Sequence, residues 1–479
     1  MTTLSCPKKS QTAYRRRRPE KTVLFEVVKK HYRTWQKNIE DSVPHYIDKE
    51  FKNYLSCGIL SKGFACARCE DCRKEFLIAF SCKGRGICPS CNTRRMVRTA
   101  AHLIENVIPC VPMRQFVISF PLRIRYYLQK HETLQAILKI VVDEIRKRLI
   151  IYGPDIANAQ IGAVSFIQHF GNTLNVHPHF HILVADGIFS VDDSELLFHE
   201  VLLTQDDIAD AQDCIQKRVF KFFKKQGRFK QEEIEKMLSY ENTGFSLDAK
   251  VSVSSSDRAG LERLIRYCAR PPFASENLRW NGPWLIYNLP KPSRTGQTFI
   301  QLEPLEFLER IAAFIPYPRR HRHHYHGVFA PNSSSRKQVA ANAQKTLAKK
   351  PSLVRVTVEK VEKVTLNWAK LIARIYEDPL ICLACGKEIK IIAFVTSNSQ
   401  IWRILKGIGL PTDMPEFDPA YETVDWNICQ LMPGTKDGFT ESEEQDRVYS
   451  ARGPDPPHYE ESCDSPHWED YSDGPHWED

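Results

Sequence analysis

The sequence lacks any long hydrophobic run, and it has no apolar segment behind its basic N-terminus. No apolar stretch approaches the roughly 18 residues that a membrane-spanning helix needs, so no such helix and no membrane partner are predicted. A secretory signal places an apolar core directly after its positive charges. The opening "MTTLSCPKKSQTAYRRRRPEK" has no such core behind it. We therefore predict a cytoplasmic protein.

Lysine is absent from residues 441–479, which hold 13 acidic residues and two arginines, a net charge of −11. Because the whole chain carries +9, residues 1–440 carry +20. A strongly basic body indicates a polyanionic partner, with nucleic acid first, although a solubilising surface charge is the alternative. The end repeats itself as "PHYEE", "PHWED" and "PHWED". Such a polar segment cannot bury a core, so we predict that residues 411–479 form an acidic, disordered tail.

A chain of 479 residues predicts two to four domains. Composition and hydrophobic periodicity divide it into four further segments. Residues 1–22 form a basic, flexible arm, and residues 23–108 a helical and cysteine-rich domain. Residues 110–330 alternate strand and helix patterns, and residues 331–410 are largely helical with a C-x-x-C motif.

The stretch "CARCEDCRKEFLIAFSCKGRGICPSC" contains the pairs Cys69-x-x-Cys72 and Cys88-x-x-Cys91, with fifteen residues between them. Two such knuckles bind one Zn²⁺ tetrahedrally through four thiolates, which leaves no open coordination position, so the site is structural rather than catalytic. The predicted zinc ligands are Cys69, Cys72, Cys88 and Cys91. The neighbouring Cys57, Cys66 and Cys82 are core residues, alternate ligands or part of a second site.

Basic residues crowd the same region. Their density suits contacts with DNA phosphates, although exposed basic residues are common in any protein. The predicted DNA-binding residues are Lys83, Arg85, Arg94 and Arg95. A further pair, Cys382 and Cys385 in "ICLACGKEIK", has no partner pair nearby in the sequence and is only half of a metal site.

The stretch "NVHPHFHILVADG" places three histidines at alternate positions of a predicted strand. Side chains alternate faces along a strand, so His177, His179 and His181 point the same way. The opposite face is apolar and fits a core. Clustered buried imidazoles without a ligand leave ring nitrogens unsatisfied, so we predict a divalent cation held by His179 and His181. The third ligand is left open between His177, Gln168 and His169.

The stretch "DRAGLERLIRYCARPP" predicts an amphipathic helix with Asp257 as its N-cap. Arg263 and Arg270, four residues before and three after Tyr267, lie on the same side of the helix as that tyrosine. By itself this is an ordinary helix with a half-buried tyrosine. Beside a histidine-bound metal, two arginines and a tyrosine nucleophile suit covalent cleavage of a DNA strand.

These segments together resemble a known family. The matching stretches are "AFSCKGRGICPSCNTRRM", "VPMRQFVISFPLRIRYYL", "HPHFHILVADGIF", "LIRYCARPPFA", "YHGVFAP" and "WAKLIARIYEDPLICLACG". The resemblance extends over roughly Cys57 to Leu410. It is to the rolling-circle transposases that carry an N-terminal zinc-binding domain, including those of insertion-sequence common-region elements. These enzymes belong to the His-hydrophobic-His (HUH) endonuclease superfamily.

The resemblance implies an α+β protein in which a zinc-knuckle domain precedes an HUH-endonuclease domain at residues 110–330. That domain has a central antiparallel sheet flanked by helices, with the metal-site strand in the middle. His179 and His181 would bind Mg²⁺ or Mn²⁺, with Tyr267 as the nucleophile. Arg263 lies four residues before Tyr267 and Pro271 four after, so the chain is similar to the single-tyrosine branch.

The implied activity is nicking of single-stranded or hairpin DNA at element ends through a 5′-phosphotyrosine, followed by strand transfer. A homo-oligomer is compatible with this activity. Two alternatives remain open at this stage. A plasmid relaxase or rolling-circle replication initiator would use the same chemistry, whereas a zinc-dependent DNA-binding regulator would use none.

Overall fold

The structure, a computed structural model, describes residues 18–39, 42–192, 195–239, 244–293, 296–343, 382, 385, 387 and 389–422. They belong to one compact unit formed by residues 1–437. Most of the predicted basic arm, the helix predicted from "TLNWAKLIARIYEDP" and the repeats at the acidic end lie outside the described residues. None of the described helices is long and apolar enough to cross a membrane.

The described α-helices lie mainly where apolar residues recur at helical spacing. They are α1 (Val23–Asn38), α2 (His45–Ser56), α3 (Pro89–Asn106), α4 (Leu122–Tyr127), α5 (His131–Ile151), α6 (Gln205–Lys225), α7 (Gln231–Leu238), α8 (Arg258–Cys268), α9 (Pro304–Ala312), α10 (Arg336–Ala343) and α11 (Asn398–Gly407).

The described strands form four antiparallel sheets. The strands are β1 (Phe64–Cys69), β2 (Glu75–Ala79), β3 (Met113–Ser119), β4 (Gly162–Phe170), β5 (Val176–Ala185), β6 (Gly187–Asp192), β7 (Glu195–Glu200), β8 (Ser246–Val253), β9 (Leu278–Asn281), β10 (Trp284–Asn288), β11 (Phe299–Leu302), β12 (His323–Gly327) and β13 (Ile389–Val395). Sheet orders are β13-β1-β2, β11-β10-β9, β12-β4-β5-β3-β8 and β6-β7.

The five-stranded sheet is antiparallel throughout, and β5 is its central strand. This confirms the expected α+β architecture, with a cysteine-rich domain followed by an antiparallel sheet flanked by helices. Within the sheet, His179 lies opposite Ser119 of β3 and Gln168 of β4. At the other end of β3 and β5, the guanidinium of Arg114 forms a bidentate ion pair with the buried Asp186. Its two N–O distances are 2.7 and 2.8 Å.

The two faces of this sheet pack against different helices. Phe180, Ile182 and Val184 of β5 belong to a core that includes apolar residues of α5 and α6. On the opposite face, Leu183 belongs to a core with residues of α3 and α8. Because the histidines alternate with the first set, they lie on the face that α8 covers. The helix and the strand predicted to carry the active site are therefore packed on each other.

A third core joins α1 and α2 to later parts of the chain. It includes Leu24 and Phe51 together with Leu285 of β10 and Phe307 of α9. The segments predicted as separate domains, residues 23–108 and 110–330, thus share apolar packing. Their boundary stays a prediction.

For residues 411–422, the predicted disorder is wrong. Phe417 stacks on the buried Tyr32 of α1, with ring centroids 4.4 Å apart, and Lys29 pairs with Asp418 at 3.2 Å. Ser61 donates a hydrogen bond to the carbonyl of Asp413 at 2.9 Å. This segment has no periodic hydrophobic pattern of its own, because one aromatic anchor and hydrogen bonds to α1 hold it in place. Periodicity detects regular elements and misses such an extended strap.

Candidate active site and metal centres

The three histidines of β5 form a row on the face covered by α8. Ring centroids lie 5.2 Å apart for His177 and His179, and 5.0 Å apart for His179 and His181. His181 is buried, whereas the other two are partly exposed. The row therefore runs from the sheet interior toward a solvent-accessible edge, a geometry that admits a ligand from one side.

His179 and His181 are held as neutral imidazoles. Burial lowers the pKa of His179 to about 4 and that of His181 to about 3, with nearby Arg270 acting in the same direction. The Nδ1 of His179 lies 2.8 Å from the carbonyl oxygen of His177, so this nitrogen carries the proton and donates it. The Nε2 of His179 then keeps its lone pair, which is the form that binds a metal ion.

Gln115 of β3 is a site residue that the sequence reasoning missed. Its side-chain amide nitrogen lies 2.8 Å from Nδ1 of His181 and 3.2 Å from the sulfur of Cys268. In this orientation the amide donates to Nδ1 and leaves the proton on Nε2. A half-turn of the amide would place its oxygen on the ring and free Nε2 for a cation. The only signal in the sequence is a lone amide within the apolar strand "RQFVISF".

Tyr267 reaches the histidine row from α8. Asp257 caps the helix, accepting a hydrogen bond from the backbone N–H of Gly260 at 2.7 Å, while Leu261 and Ile265 are buried beneath it. The Tyr267 side chain remains 45% exposed. Its ring meets that of His181 edge-on, with centroids 5.5 Å apart and planes at 90°. The structure thus brings the predicted nucleophile and the predicted metal ligands together.

The two predicted arginines differ in position. The guanidinium of Arg270 lies over the Tyr267 ring, 5.1 Å from its centroid, and 5.3 Å from that of Phe170. Arg263 instead projects into solvent, with its side chain 74% exposed, and approaches Asp257 at 4.0 Å. The expectation of a tyrosine between two guanidiniums is therefore met by Arg270 alone. A helical wheel gives the side of a helix, but not where a long side chain ends.

Gln168 connects the sheet to the helix that carries the tyrosine. Its amide nitrogen donates to the carbonyl of Cys268 at 2.8 Å and to that of Tyr267 at 3.3 Å. Its Oε1 and the Nε2 of His181 are buried, and neither has a hydrogen-bond partner among the described residues. Buried polar atoms without partners are costly, and once the Gln115 amide is turned to free Nε2 of His181, a bound cation would satisfy both atoms. The residues present therefore fit a divalent metal ion.

The cysteines form two separate clusters, and the predicted single set of four zinc ligands is wrong. Cys57, Cys82, Cys88 and Cys91 make up the first cysteine cluster. Cys69, Cys72, Cys382 and Cys385 make up the second cysteine cluster. In each cluster the four sulfurs lie within 4.8 Å of one another.

The pairing of β1 with β13 and the positions of the ends of α2 and α3 explain why the cysteines divide in this way. Cys69 ends β1, which pairs with β13, and that pairing brings in the C-x-x-C pair just before β13. Cys88 instead caps the start of α3 and meets Cys57 at the end of α2. Sequence spacing favoured the nearest pair, whereas strand pairing joins pairs that are about 310 residues apart.

Sulfur separations in the first cysteine cluster suit a tetrahedral metal site. They are 3.4, 3.5 and 3.7 Å for the Cys82–Cys91, Cys57–Cys88 and Cys57–Cys91 pairs. Zn–S bonds of about 2.3 Å place tetrahedral sulfurs about 3.8 Å apart, whereas a disulfide needs about 2.05 Å. Contacts with the other three thiols and burial raise the pKa of Cys82 well above its usual range. Four ionised thiolates this close require a cation among them.

The predicted DNA-binding residues surround the first cysteine cluster. Arg85 donates to the carbonyl of Arg320, and Arg94 approaches the Ser81 hydroxyl at 3.5 Å. Arg95 donates to the carbonyl of Lys83 at 3.2 Å, and both of these side chains are exposed. Lys83 and Arg95 thus present charge at the surface, whereas the Arg85 guanidinium is engaged in its hydrogen bond to the carbonyl of Arg320. Their contact with DNA stays a prediction.

Two family models match the chain. One, described as "Transposase zinc-binding domain", matches residues 27–120, and the other, described as "Putative transposase", matches residues 162–338. The matches support membership of the IS91-like transposase family. No curated protein and no solved structure matches the chain.

The matched ranges coincide with the two kinds of site. The zinc-binding range contains the whole first cysteine cluster and half of the second. The transposase range contains Gln168, the histidine row, Tyr267 and Arg270. The matched zinc-binding domain and the cysteine clusters together support Zn²⁺ as a cofactor. Transposases act on DNA, so the two matches imply a DNA partner.

Proposed function

We propose that this transposase nicks single-stranded DNA at the ends of its element through Tyr267 and transfers the strand through a 5′-phosphotyrosine. One observation carries the proposal: the half-exposed Tyr267 packs edge-on against His181, the buried end of the histidine row, with ring centroids 5.5 Å apart. Side chains whose pKa is strongly shifted by burial, as those of His179 and His181 are, cluster at functional sites.

In the proposed reaction, the phenolic oxygen of Tyr267 attacks the scissile phosphorus. An O–P bond forms to the tyrosine, and the bond from phosphorus to the 3′ oxygen breaks. The phenol releases its proton to solvent, and the departing oxygen takes one up as a free 3′-OH. Arg270 lies next to the tyrosine ring, so its guanidinium is placed to donate hydrogen bonds to the phosphate oxygens. The phosphotyrosine keeps the bond energy for the later transfer.

His179 and His181 would hold the catalytic cation, Mg²⁺ or Mn²⁺. Gln168 is the favoured third ligand, because its buried Oε1 lacks a partner among the described residues and its strand position lies opposite His179. His177, next along the row, is the alternative. When bound, such a cation polarises the phosphate and neutralises its charge.

Only one tyrosine is available at this position of α8. Arg263 and Pro271 occupy the places where a second tyrosine, one helical turn away, would lie. We infer that the chain works as a single-tyrosine enzyme, so two simultaneous covalent links to DNA would need a second copy of the chain. This inference agrees with a homo-oligomer as the working state.

The proposal is tested with single-stranded oligonucleotides taken from the DNA that flanks the coding region. With Mn²⁺, we expect an adduct that survives denaturing gel electrophoresis, and mass spectrometry of its peptides should find the nucleotide on Tyr267. His179→Ala should abolish the adduct while leaving DNA binding intact. A DNA-binding regulator without catalysis predicts no adduct, and no change in function for His179→Ala; that result would overturn the proposal.

Gln168→Met separates a metal ligand from a purely structural residue. Methionine matches glutamine in size but lacks both the oxygen toward the cation and the nitrogen that donates to the end of α8. Loss of a third ligand should weaken Mn²⁺ binding, measured by calorimetry without DNA, by at least the roughly 10–100-fold that removing an outer-shell partner of a metal ligand costs. Gln168→Glu keeps the oxygen and should retain more of the affinity. Unchanged Mn²⁺ affinity in Gln168→Met would leave Gln168 only its role in holding the helix.

A further inference from the structure

The second cysteine cluster lies partly outside both matched ranges, since Cys382 and Cys385 follow residue 338. We propose that Cys69, Cys72, Cys382 and Cys385 form a second structural zinc site, assembled from two distant parts of the chain, that fastens β13 onto the N-terminal sheet. This site is independent of the proposed DNA chemistry.

The two halves of the cluster share a sequence pattern and a backbone hydrogen bond. Each reads Cys-x-x-Cys-x-Lys, as "CEDCRK" and as "CLACGK". In the first half the N–H of Cys69 donates to the carbonyl of Lys74 at 2.9 Å, and in the second the N–H of Cys382 donates to that of Lys387 at 2.7 Å. The same backbone hydrogen bond, from the first cysteine to the lysine, is thus present in both motifs. A Cys-x-x-Cys motif supplies two thiolates to a zinc site.

The sulfurs of the two halves meet in pairs. Cys69 lies 3.3 Å from Cys385, and Cys72 lies 3.2 Å from Cys382. All four sulfurs lie within 4.8 Å of one another. Each half thus supplies two soft ligands, and four thiolates complete a tetrahedral zinc site. No cysteine is shared with the first cluster, so the described part of the chain has places for two zinc ions.

Strand pairing delivers the second half to the first. The register of β1 and β13 runs from Phe64 opposite Val395 to Cys69 opposite Ile389. The cluster therefore lies at the end of this ladder, where both chain segments leave the sheet. The apolar core beside it is small: the buried residues are Ala67, Cys69, Cys382 and Ile389. With so little apolar burial, a metal ion is the main cross-link that can hold this end of the sheet closed.

If zinc fastens β13 onto the N-terminal sheet, removing one zinc ligand should loosen the pairing of β13 with β1. Because Cys385 is exposed, its replacement creates no cavity in a core. The matched control is Cys66→Ser, a partly buried cysteine of β1 that belongs to neither cluster. Zinc content per chain is measured on the full-length protein by mass spectrometry of the metal. Amide hydrogen exchange is followed at Ile389–Val395 and, as a reference, at Val176–Ala185.

We expect two zinc ions per chain in the unaltered protein and in Cys66→Ser, and one in Cys385→Ser. Exchange in β13 should accelerate at least about tenfold in Cys385→Ser, while β5 stays protected. Cys385→His, which keeps a zinc ligand, should restore both the second ion and the protection of β13. One zinc ion in the unaltered protein, or two retained in Cys385→Ser, would overturn the proposal.

Discussion

Tyr267→Phe is expected to abolish the covalent protein–DNA adduct and to lower the nicking rate by at least about 10⁴-fold, the scale on which enzymes lose activity when their nucleophile is removed. The substitution deletes one oxygen atom. Phenylalanine retains the ring that packs against His181 and lies under Arg270, so the surrounding contacts persist. The loss should therefore fall on the rate and leave the midpoint of thermal unfolding almost unchanged.

The measurement follows cleavage of a labelled terminal oligonucleotide, with the adduct resolved on a denaturing gel. Tyr152→Phe is the matched control, because Tyr152 is also 45% exposed but lies at the end of α5. It should nick at the unaltered rate. An adduct that persists in Tyr267→Phe would mean that another residue is the nucleophile.

Cys88→Ala is expected to cause the largest loss of stability. Cys88 is buried and belongs, with Cys57 and Cys91, to the core that also includes residues of α1, α2 and α9. Structural zinc contributes about 10–16 kcal/mol of apparent folding free energy in zinc-finger peptides. Losing one of four thiolates should remove much of that contribution, so the N-terminal helices should unfold at temperatures where the unaltered protein is stable.

If no metal ion were bound, the same cysteine-to-alanine substitution would cost far less stability. Removing a single buried sulfur from a packed core costs only about 1–2 kcal/mol. Thermal unfolding, zinc content and amide exchange in α1 and α2 distinguish the two cases, and Cys66→Ala serves as the control. A loss of stability confined to about 1–2 kcal/mol, with zinc retained, would contradict a zinc ion in the first cysteine cluster.

The parts of the active site that depend on local periodicity were predicted well. Alternation along a strand placed His179 and His181 on one face and Phe180 and Ile182 on the other, and the structure has them so. The N-cap at Asp257 and the buried stripe of α8 followed from helical spacing in the same way. Both are short-range consequences of backbone geometry, so neighbouring residues suffice to predict them.

The parts that were wrong or missed depend on contacts between distant segments. Gln115 reaches His181 only because β3 pairs with β5. Phe417 is ordered by a ring on α1, nearly 400 residues earlier in the chain. Arg263 shares a helical face with Tyr267, but its long side chain ends elsewhere. None of these contacts leaves a periodic trace in the sequence.

The sequence alone determined which groups the chain carries: three histidines at alternate positions, a tyrosine with Arg263 and Arg270 on the same side of its helix, and cysteines in C-x-x-C pairs. Only the tertiary structure decided which of these groups meet. It turned the face with the histidines toward α8, and it joined Cys69 and Cys72 to Cys382 and Cys385 rather than to the nearer pair. Residue types and short spacings can be read directly from the sequence. The pairing of remote strands instead depends on the packing energy of the whole fold.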